Sequence, residues 1–520
     1  MNALAVLYGG ALSGEAFERV FSGKNALSLA LERGAAFPGV GKLVLLAGET
    51  QAGQGIPAPD SAAFEVLTAP EWTKKKILDT LASLSPGFDL TYFAWADCPF
   101  LDPVLAGALA ERHLKYAAEY SYADGWPYGF APEILAPGVA GILSKITGEE
   151  DGPVARDALF SVIQKDINAF DIETEIAPVD LRVHRLSLAA DSRRNLLLLT
   201  RFAGAGLSGA AGIEGLIGER PELLRTLPAF YPIQVTDACP QSCTLCPYGR
   251  SGQAITPGKN FLDPPRFEDL LDRIAAFSGD AVIDLSLWGE LGLHPEKMKL
   301  IGGVLARPGL SLVIETSGLG WSPGEFEEAA ALAAPARKIA SRPFPHPLSW
   351  IVSLDAQDPE RYRQIRGAGY TQAVENAKIL QGLFPGDTYV QAIRVRGFED
   401  DIEHFYRFWK ERGMNIIIQK YDHFCGALPK LQASDLSPVI RRPCWHLLRD
   451  MPVLMNGDVP VCREDLAALR GQGAKPVLGN IFSESPETIW ERGDEVYREQ
   501  CVPVYSGICA ECDEYYTYNF

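Results

Sequence analysis

Cysteine spacing constrains this chain more than any other feature. The stretch Val235-Thr-Asp-Ala-Cys-Pro-Gln-Ser-Cys-Thr-Leu-Cys-Pro-Tyr-Gly249 carries Cys239, Cys243 and Cys246 at gaps of three and two residues. All three thiols can therefore curl round one centre. Thiolates so spaced hold iron–sulfur clusters, which usually take four cysteines, or zinc. Three local ligands leave one iron of a cluster free of protein, a position open to a small molecule. A zinc knuckle would instead need a fourth, distant ligand. The β-prone run Phe230-Tyr-Pro-Ile-Gln-Val235 just upstream reads as a strand end. The cysteine loop would then sit at the carboxyl end of a strand, where α/β sheets and barrels gather their chemistry.

The sequence downstream repeats one pattern. A helix is expected over 265–277, with Phe267, Leu270, Leu271 and Ile274 on one face. Strands are expected at Ala281-Val-Ile-Asp-Leu-Ser-Leu-Trp288, Leu310-Ser-Leu-Val-Ile-Glu-Thr316, Trp350-Ile-Val-Ser-Leu-Asp355, Tyr389-Val-Gln-Ala-Ile-Arg394 and Asn415-Ile-Ile-Ile-Gln-Lys420. Helices are expected at 359–367 and 400–412. Ser353 and Asp355 sit two apart, so a strand running through both would put them on one face.

A cysteine triplet after a first strand, followed by this ordered series, resembles the radical S-adenosylmethionine (SAM) family. The resemblance implies a partial (β/α)6 barrel over 229–424 with a 4Fe–4S cluster on Cys239, Cys243 and Cys246. In that family the free iron chelates the amino and carboxylate groups of SAM, and an electron from the cluster cleaves SAM to a 5′-deoxyadenosyl radical. The residue before the last cysteine is usually aromatic; here it is Leu245. Trp288-Gly289-Glu290 resembles the family's Gly-Gly-Glu segment, with Trp288 in place of the first glycine, and implies that Gly289 and Glu290 bind the SAM amino group. Ser353 and Asp355 resemble the Ser-x-Asp strand whose side chains face the SAM ribose.

Near the C-terminus, Cys444 and Cys462 flank Val453-Leu-Met-Asn-Gly-Asp-Val-Pro-Val461, a hairpin pattern with Asn456-Gly457 at its turn. Cys509-Ala-Glu-Cys512 adds a second pair. On spacing alone the four could form a zinc ribbon. The order Cys-x12-Gly-x4-Cys, a gap, then Cys-x2-Cys resembles a shortened SPASM extension. That implies one auxiliary 4Fe–4S cluster on Cys444, Cys462, Cys509 and Cys512 in a small Cys-rich domain over 425–520. Cys425 and Cys501 are left over and read as plain core thiols.

The first 205 residues alternate strands (Asn2 to Tyr8, Lys42 to Ala47, Leu90 to Ala96) with helical stretches such as 26–33, as expected of a mostly parallel sheet. The third strand runs into Asp97-Cys-Pro-Phe-Leu-Asp-Pro103, and a carboxylate there can hold a divalent ion. Cys98 reads as a buried small hydrophobe. With Gly23-Lys24, Asp124-Gly-Trp-Pro-Tyr-Gly-Phe-Ala-Pro-Glu133 and Leu186-Ser-Leu-Ala-Ala-Asp191, this segment resembles GT-A/Rossmann-like cytidylyltransferases. The loop that should grip a triphosphate, Gly9-Gly-Ala-Leu-Ser-Gly-Glu-Ala-Phe-Glu18, has no basic residue and two acidic ones. The expectation is a degenerate domain that binds a nucleotide or sugar, or only scaffolds. The Gly- and Ala-rich run Ala203-Gly-Ala-Gly-Leu-Ser-Gly-Ala-Ala-Gly-Ile213 begins an expected linker over 206–228.

The net charge of −18 argues against nucleic acid and anionic membranes as partners. The N-terminus lacks a basic signal-peptide start, and no apolar run is long enough to span a membrane. Seven of ten cysteines fall in the two spaced groups, which suits metal binding in a reducing cytoplasm better than disulfides. The whole order resembles the spiro-SPASM branch. It implies a SAM-cleaving enzyme that abstracts hydrogen from an unactivated carbon, with a peptide, a protein or a small molecule as substrate. An electron donor such as flavodoxin or ferredoxin is implied too. The alternative is nucleotide-sugar modification or nucleotidyl transfer by the first domain.

Overall fold

The computed structural model describes residues 1–49, 56, 58–59, 61–148, 151–248, 260–339, 344, 346–435, 437–466 and 477–515. Gly249, which closes the cysteine stretch, lies outside them. The chain forms two compact units, Met1–Thr226 and Leu227–Phe520. Among the described residues no helix is long and apolar enough to cross a membrane.

In the first unit β1 (Ala3–Gly9), β2 (Val40–Gly48), β3 (Ala63–Ala69), β4 (Leu90–Trp95), β5 (Tyr120–Asp124), β6 (Glu133–Leu135) and β7 (Ile172–Ile176) form one sheet, ordered β3-β2-β1-β4-β6-β5-β7. β6 runs antiparallel to both its neighbours and the other pairings are parallel. β1 and β4 are buried along their whole length, which is why they read as continuous apolar runs. The segment expected as a linker is packed chain. A helix at Ile213–Glu219 buries Ile213 and Ile217, and the Ala210 amide donates to Asp102 Oδ2 at 2.7 Å. Ile213 and Ile217 stand four apart, a helical period that the preceding glycines mask.

Two buried titratable groups flank β5. His113 Nδ1 lies 2.8 Å from Ser121 Oγ, and burial pulls its pKa from 6.5 down to about 4. Tyr120 bonds Glu133, whose carboxyl burial pushes up from 4.5 to about 7. Between pH 4 and 6.5 the unfolded chain carries a proton at His113 that the folded unit lacks, so this group makes stability rise with pH. Between pH 4.5 and 7 the folded unit keeps a proton at Glu133 that the unfolded chain has lost, so this group makes stability fall with pH. The two slopes oppose each other. Relative to the wild type, His113→Gln is expected to gain on the order of 3 kcal/mol as pH falls through its window. Glu133→Gln is expected to gain a similar amount as pH rises through its own. Hydrogen-exchange protection of β5 amides against pH checks both; protection ratios that do not change with pH would contradict them.

The second unit is built on β8 (Phe230–Pro232), β9 (Ala281–Asp284), β10 (Leu310–Thr316), β11 (Leu348–Ser353), β12 (Thr388–Arg394) and β13 (Asn415–Lys420). They are all parallel and hydrogen-bonded in chain order, an open (β/α)6 arrangement. Parallel neighbours need long crossovers. Helices Pro264–Ser278, Lys297–Leu305, Pro323–Ala336, Pro359–Arg366, Tyr370–Leu383 and Glu399–Lys410 supply them. The helix Pro264–Ser278 buries Phe267, Leu270, Leu271 and Ile274, the face expected from their spacing. Every βα turn therefore opens on the same end of the sheet.

The cysteine-rich tail joins this sheet. The amides of Met451 and Val453 donate to the carbonyls of Phe230 and Pro232 at 2.9 and 2.8 Å, covering the free edge of β8. The chain then reverses at Leu454–Asp458, with Gly457 at φ 91°. β14 (Asp458–Val459) pairs antiparallel with β15 (Gly479–Asn480), not with the segment before the turn as a simple hairpin would. That segment is already committed to β8.

Candidate functional site

The carboxyl ends of β8 to β13 surround a cavity of about 250 Å3. Cys239, Cys243 and Cys246 line it, facing Ser286, Glu290, Glu315, Ser353 and Lys420. Burial pushes the Cys239 thiol up to about 12 and raises Cys243 as well. A metal bound here must displace protons, so binding is coupled to proton release. The loop is clamped from two sides. The Glu290 amide donates to the Ala238 carbonyl at 2.8 Å, and the Thr244 amide donates to the Ile365 carbonyl at 2.8 Å. Leu245, where an aromatic was expected, packs against the apolar group of Val395, Tyr421 and Leu428.

The segment after β9 explains why one glycine stays and another can be replaced. A Cβ on Gly289 would lie 2.3 Å from the Thr236 carbonyl oxygen. Gly289→Ala is expected to cost about 1–3 kcal/mol by forcing the two loops apart. Faster amide exchange at residues 236–238 would be the sign of it; unchanged exchange would contradict the clamp. Trp288 takes the left-handed region, φ 49°, a conformation glycine holds without strain. Its ring packs near Tyr248 and Phe424, with centroids at 6.1 and 5.7 Å. Glu290 is buried, and its carboxylate accepts from Thr316 Oγ1 at 2.6 Å and from the amide and hydroxyl of Ser317 at 2.7 Å each. It ties the β9 and β10 ends together at the cavity wall.

Ser353 and Asp355 separate. β11 ends at Ser353 and Asp355 has φ 60°, so the strand alternation expected to align them stops short. Ser353 lines the cavity and donates to Glu315 Oε1 at 2.7 Å; Gln391 Nε2 donates to the same oxygen at 2.7 Å. Glu315, Ser353 and Gln391 thus form a polar row across β10, β11 and β12. Asp355 turns away. Its Oδ2 accepts from Arg366 Nε at 2.7 Å and its Oδ1 accepts from the Ile393 amide at 2.9 Å. Arg366 Nη1 also donates to Gln241 Oε1 at 3.0 Å, inside the cysteine loop. Asp355 therefore acts on the loop through Arg366. Glu315, Gln391, Gln241 and Arg366 were not expected as site residues. The one available signal was a charged Glu315 within an otherwise apolar strand.

The tail gathers its thiols beside the same end of the sheet. Cys462 lies in the electrostatic field of Cys444 and Cys512, and Cys444 in that of Cys512 and Cys509. N–H groups point at the sulfurs: Glu464 N to Cys462 at 3.5 Å, Glu514 N to Cys512 at 3.3 Å and Gln500 Nε2 to Cys509 at 3.4 Å. Gln500 also accepts the Cys444 amide at 2.9 Å. An all-thiol set with donors aimed at sulfur fits an iron–sulfur cluster or zinc. Cys501 packs in the apolar group around Cys444, Leu447, Tyr497 and Tyr515, as a core thiol would. Cys425 is half-buried and lies in the electrostatic surroundings of Cys512, Cys462 and Glu464 instead.

In the first unit Cys98 is buried and Asp97 is only 1% exposed. The Arg156 guanidinium grips Asp97 through two bonds at 2.7 and 2.6 Å, bonds Asp191 at 2.8 Å, and lies 4.1 Å from the Trp95 ring. One guanidinium nitrogen, Nη2, bridges both carboxylates. A cation of the protein's own already occupies the place where a divalent ion would sit between them.

Among curated proteins, an uncharacterised protein of Treponema pallidum (strain Nichols) is 40% identical over 371 residues, spanning 70% of this chain and 98% of that protein. The chain belongs to the same family as that protein. A second uncharacterised Treponema pallidum protein is 46% identical over 52 residues, 10% of this chain and 24% of that protein. No family model matches. Solved structures similar to the chain include BtrN in complex with AdoMet and 2-DOIA, 16% identical with a TM-score of 0.36, covering 55% of this chain and 94% of that one. Streptococcus suis SuiB bound to precursor peptide SuiA is 12% identical with a TM-score of 0.42, covering 69% and 82%. A cytidylyltransferase from Leptospira borgpetersenii is 16% identical with a TM-score of 0.37, covering 43% and 95%.

Proposed function

We propose that the chain is a radical SAM enzyme that reductively cleaves S-adenosylmethionine and abstracts a hydrogen atom from a peptide or protein. The observation that carries this reading is the convergence of three half-buried thiols with polar strand ends on one cavity. When bound, a 4Fe–4S cluster on Cys239, Cys243 and Cys246 supplies the electron that turns SAM into methionine and a 5′-deoxyadenosyl radical. The chain's own residues bind, orient and exclude water. Gly289 lets the two loops close to contact beside the cavity. Gly289 and Glu290 stand at the SAM amino group, with Glu290 held rigid by its bonds to Thr316 and Ser317. Ser353, together with Glu315 and Gln391, offers acceptors and donors to a ribose diol. Asp355 serves by positioning Arg366 against Gln241. Tyr248, Trp288 and Phe424 form an apolar wall that keeps water from a reactive intermediate. Cys444, Cys462, Cys509 and Cys512 hold an auxiliary 4Fe–4S cluster, and a flavodoxin or ferredoxin delivers electrons in the reducing cytoplasm.

The experiment is anaerobic. Reconstituted protein is incubated with SAM and dithionite, and 5′-deoxyadenosine is measured by chromatography. The proposal expects product in the wild type and in Asp97→Ala alike. It expects no divalent-dependent diphosphate release from CTP, because Arg156 fills the carboxylate pair. Diphosphate release without 5′-deoxyadenosine would overturn the proposal in favour of nucleotidyl transfer.

A further inference from the structure

A second cavity lies beside the first, at the carboxyl ends of β12 and β13. It measures about 680 Å3, a size within the range of small-ligand sites. Arg394 and Lys420, which end the two strands and stand in register, both line it. Gln419, Lys420 and Tyr421 line both cavities, so the two share a wall. Three bonds hold the opposite side in place. The Tyr421 hydroxyl donates to the Pro429 carbonyl at 2.7 Å, the Arg396 amide donates to the Leu431 carbonyl at 2.9 Å, and Gln432 Nε2 donates to Asp513 Oδ2 at 3.1 Å.

The charge of this cavity runs against that of the chain. Acidic residues outnumber basic ones 66 to 48 overall. Here the cations Arg394, Arg396, Lys420 and Lys430 meet the carboxylates Asp435, Glu511 and Asp513. Lys420 is committed to Asp513 at 3.2 Å and to Glu514. Arg396 gives its Nε to the Gln432 carbonyl at 3.0 Å and lies in the field of Glu399. Arg394 and Lys430 are exposed, and no ion pair engages either of them among the described residues. Two cations on a fixed frame are thus available to a carboxylate from outside. Asp435 and Glu511 would repel a phosphate polymer but can accept the N–H groups of a peptide.

We propose that this cavity docks an acidic segment of the peptide substrate, with side-chain carboxylates on Arg394 and Lys430, while the residue to be attacked reaches past residues 419–421 into the cysteine cavity. This rests on the reading of the cysteine cavity as the reaction site. That cavity is only about 250 Å3 and must hold SAM first. It leaves room for a side chain but not for the peptide that carries it. The rest of the peptide needs a second surface, and the cavity across the shared wall supplies one with the charge to select it.

The test uses the full chain, reconstituted anaerobically and kept without reductant. Binding of short fluorescent peptides alternating Glu-Ala or Gln-Ala is read by anisotropy at one ionic strength. The Glu-Ala peptide should bind on the order of tenfold tighter, as two exposed ion pairs allow. Arg394→Gln combined with Lys430→Gln should abolish that preference. Lys145→Gln combined with Lys338→Gln removes the same charge from two exposed positions outside the cavity and should leave the preference intact. Equal binding of the two peptides, or a preference that survives Arg394→Gln with Lys430→Gln, would overturn the inference. Displacement of the Glu-Ala peptide by an equal concentration of free glutamate would also overturn it, since the site would then be one for a small acid. The same preparation is assayed for 5′-deoxyadenosine with SAM and dithionite. SAM cleaved without an acidic preference would sink the inference alone. An acidic preference with SAM left intact would sink the radical SAM reading and leave the acidic site standing.

Discussion

Cys246→Ala, like Cys239→Ala or Cys243→Ala, is expected to reduce 5′-deoxyadenosine formation to background. The loss should exceed the roughly 10–100-fold that removing an outer hydrogen-bond partner costs a metal site. Each thiol lines the same cavity, and the loop that carries them is clamped by backbone bonds that do not involve sulfur. An alanine therefore removes a ligand without removing the fold around it. Cys98→Ala is the matched control. Cys98 is buried in the first unit beside Asp97, where burial pushes its thiol far above the usual range, and it belongs to neither spaced cysteine group. It should leave product formation unchanged. Anaerobic assay of the four variants checks this; retained activity in any triplet variant would contradict the assignment.

Arg366→Met is expected to destabilise the second unit by about 3–5 kcal/mol, the usual cost of breaking a buried ion pair from one side. The Arg366 side chain is 12% exposed and Asp355 2%, so the carboxylate left behind would have little water to turn to. The same substitution releases Gln241 and with it the start of the cysteine loop. Adding Asp355→Asn should recover much of the loss. Asparagine tolerates the left-handed conformation at this position, φ 60°, and carries no charge to strand. Denaturant unfolding of the two single variants and the double variant gives the coupling. Additive effects would mean that the pair does not act as a unit.

The sequence made the strand ends legible and the side-chain economy at those ends illegible. Largely apolar runs marked β8 to β13, strands of three to seven residues, because parallel strands buried on both faces are built mostly from apolar residues. The cysteines stood out because their spacing has few other uses. Asp355 looked like a binding residue because periodicity was extended two residues past the point where the backbone turns left-handed. Arg366 looked like the end of a helix, and only the fold brings it under Gln241, 125 positions earlier in the chain. The edge of β8 shows the same limit. Nothing local to residues 449–453 says that they will pair with a strand more than 200 positions away. Cys425 read as a plain core thiol for a similar reason, since its place near the tail cysteines depends on a left-handed turn that no propensity scale records. In the first unit, Asp97 was visible as a strand-end carboxylate, while Arg156, which neutralises it, arrives from 59 residues further on.

Iron and sulfide counted in the same anaerobic sample that is assayed for 5′-deoxyadenosine test the central claim most directly. Two four-iron clusters predict about eight irons per chain, with product formed on addition of SAM and dithionite. A zinc-loaded, colourless protein, or an iron-loaded one that leaves SAM intact, would contradict it.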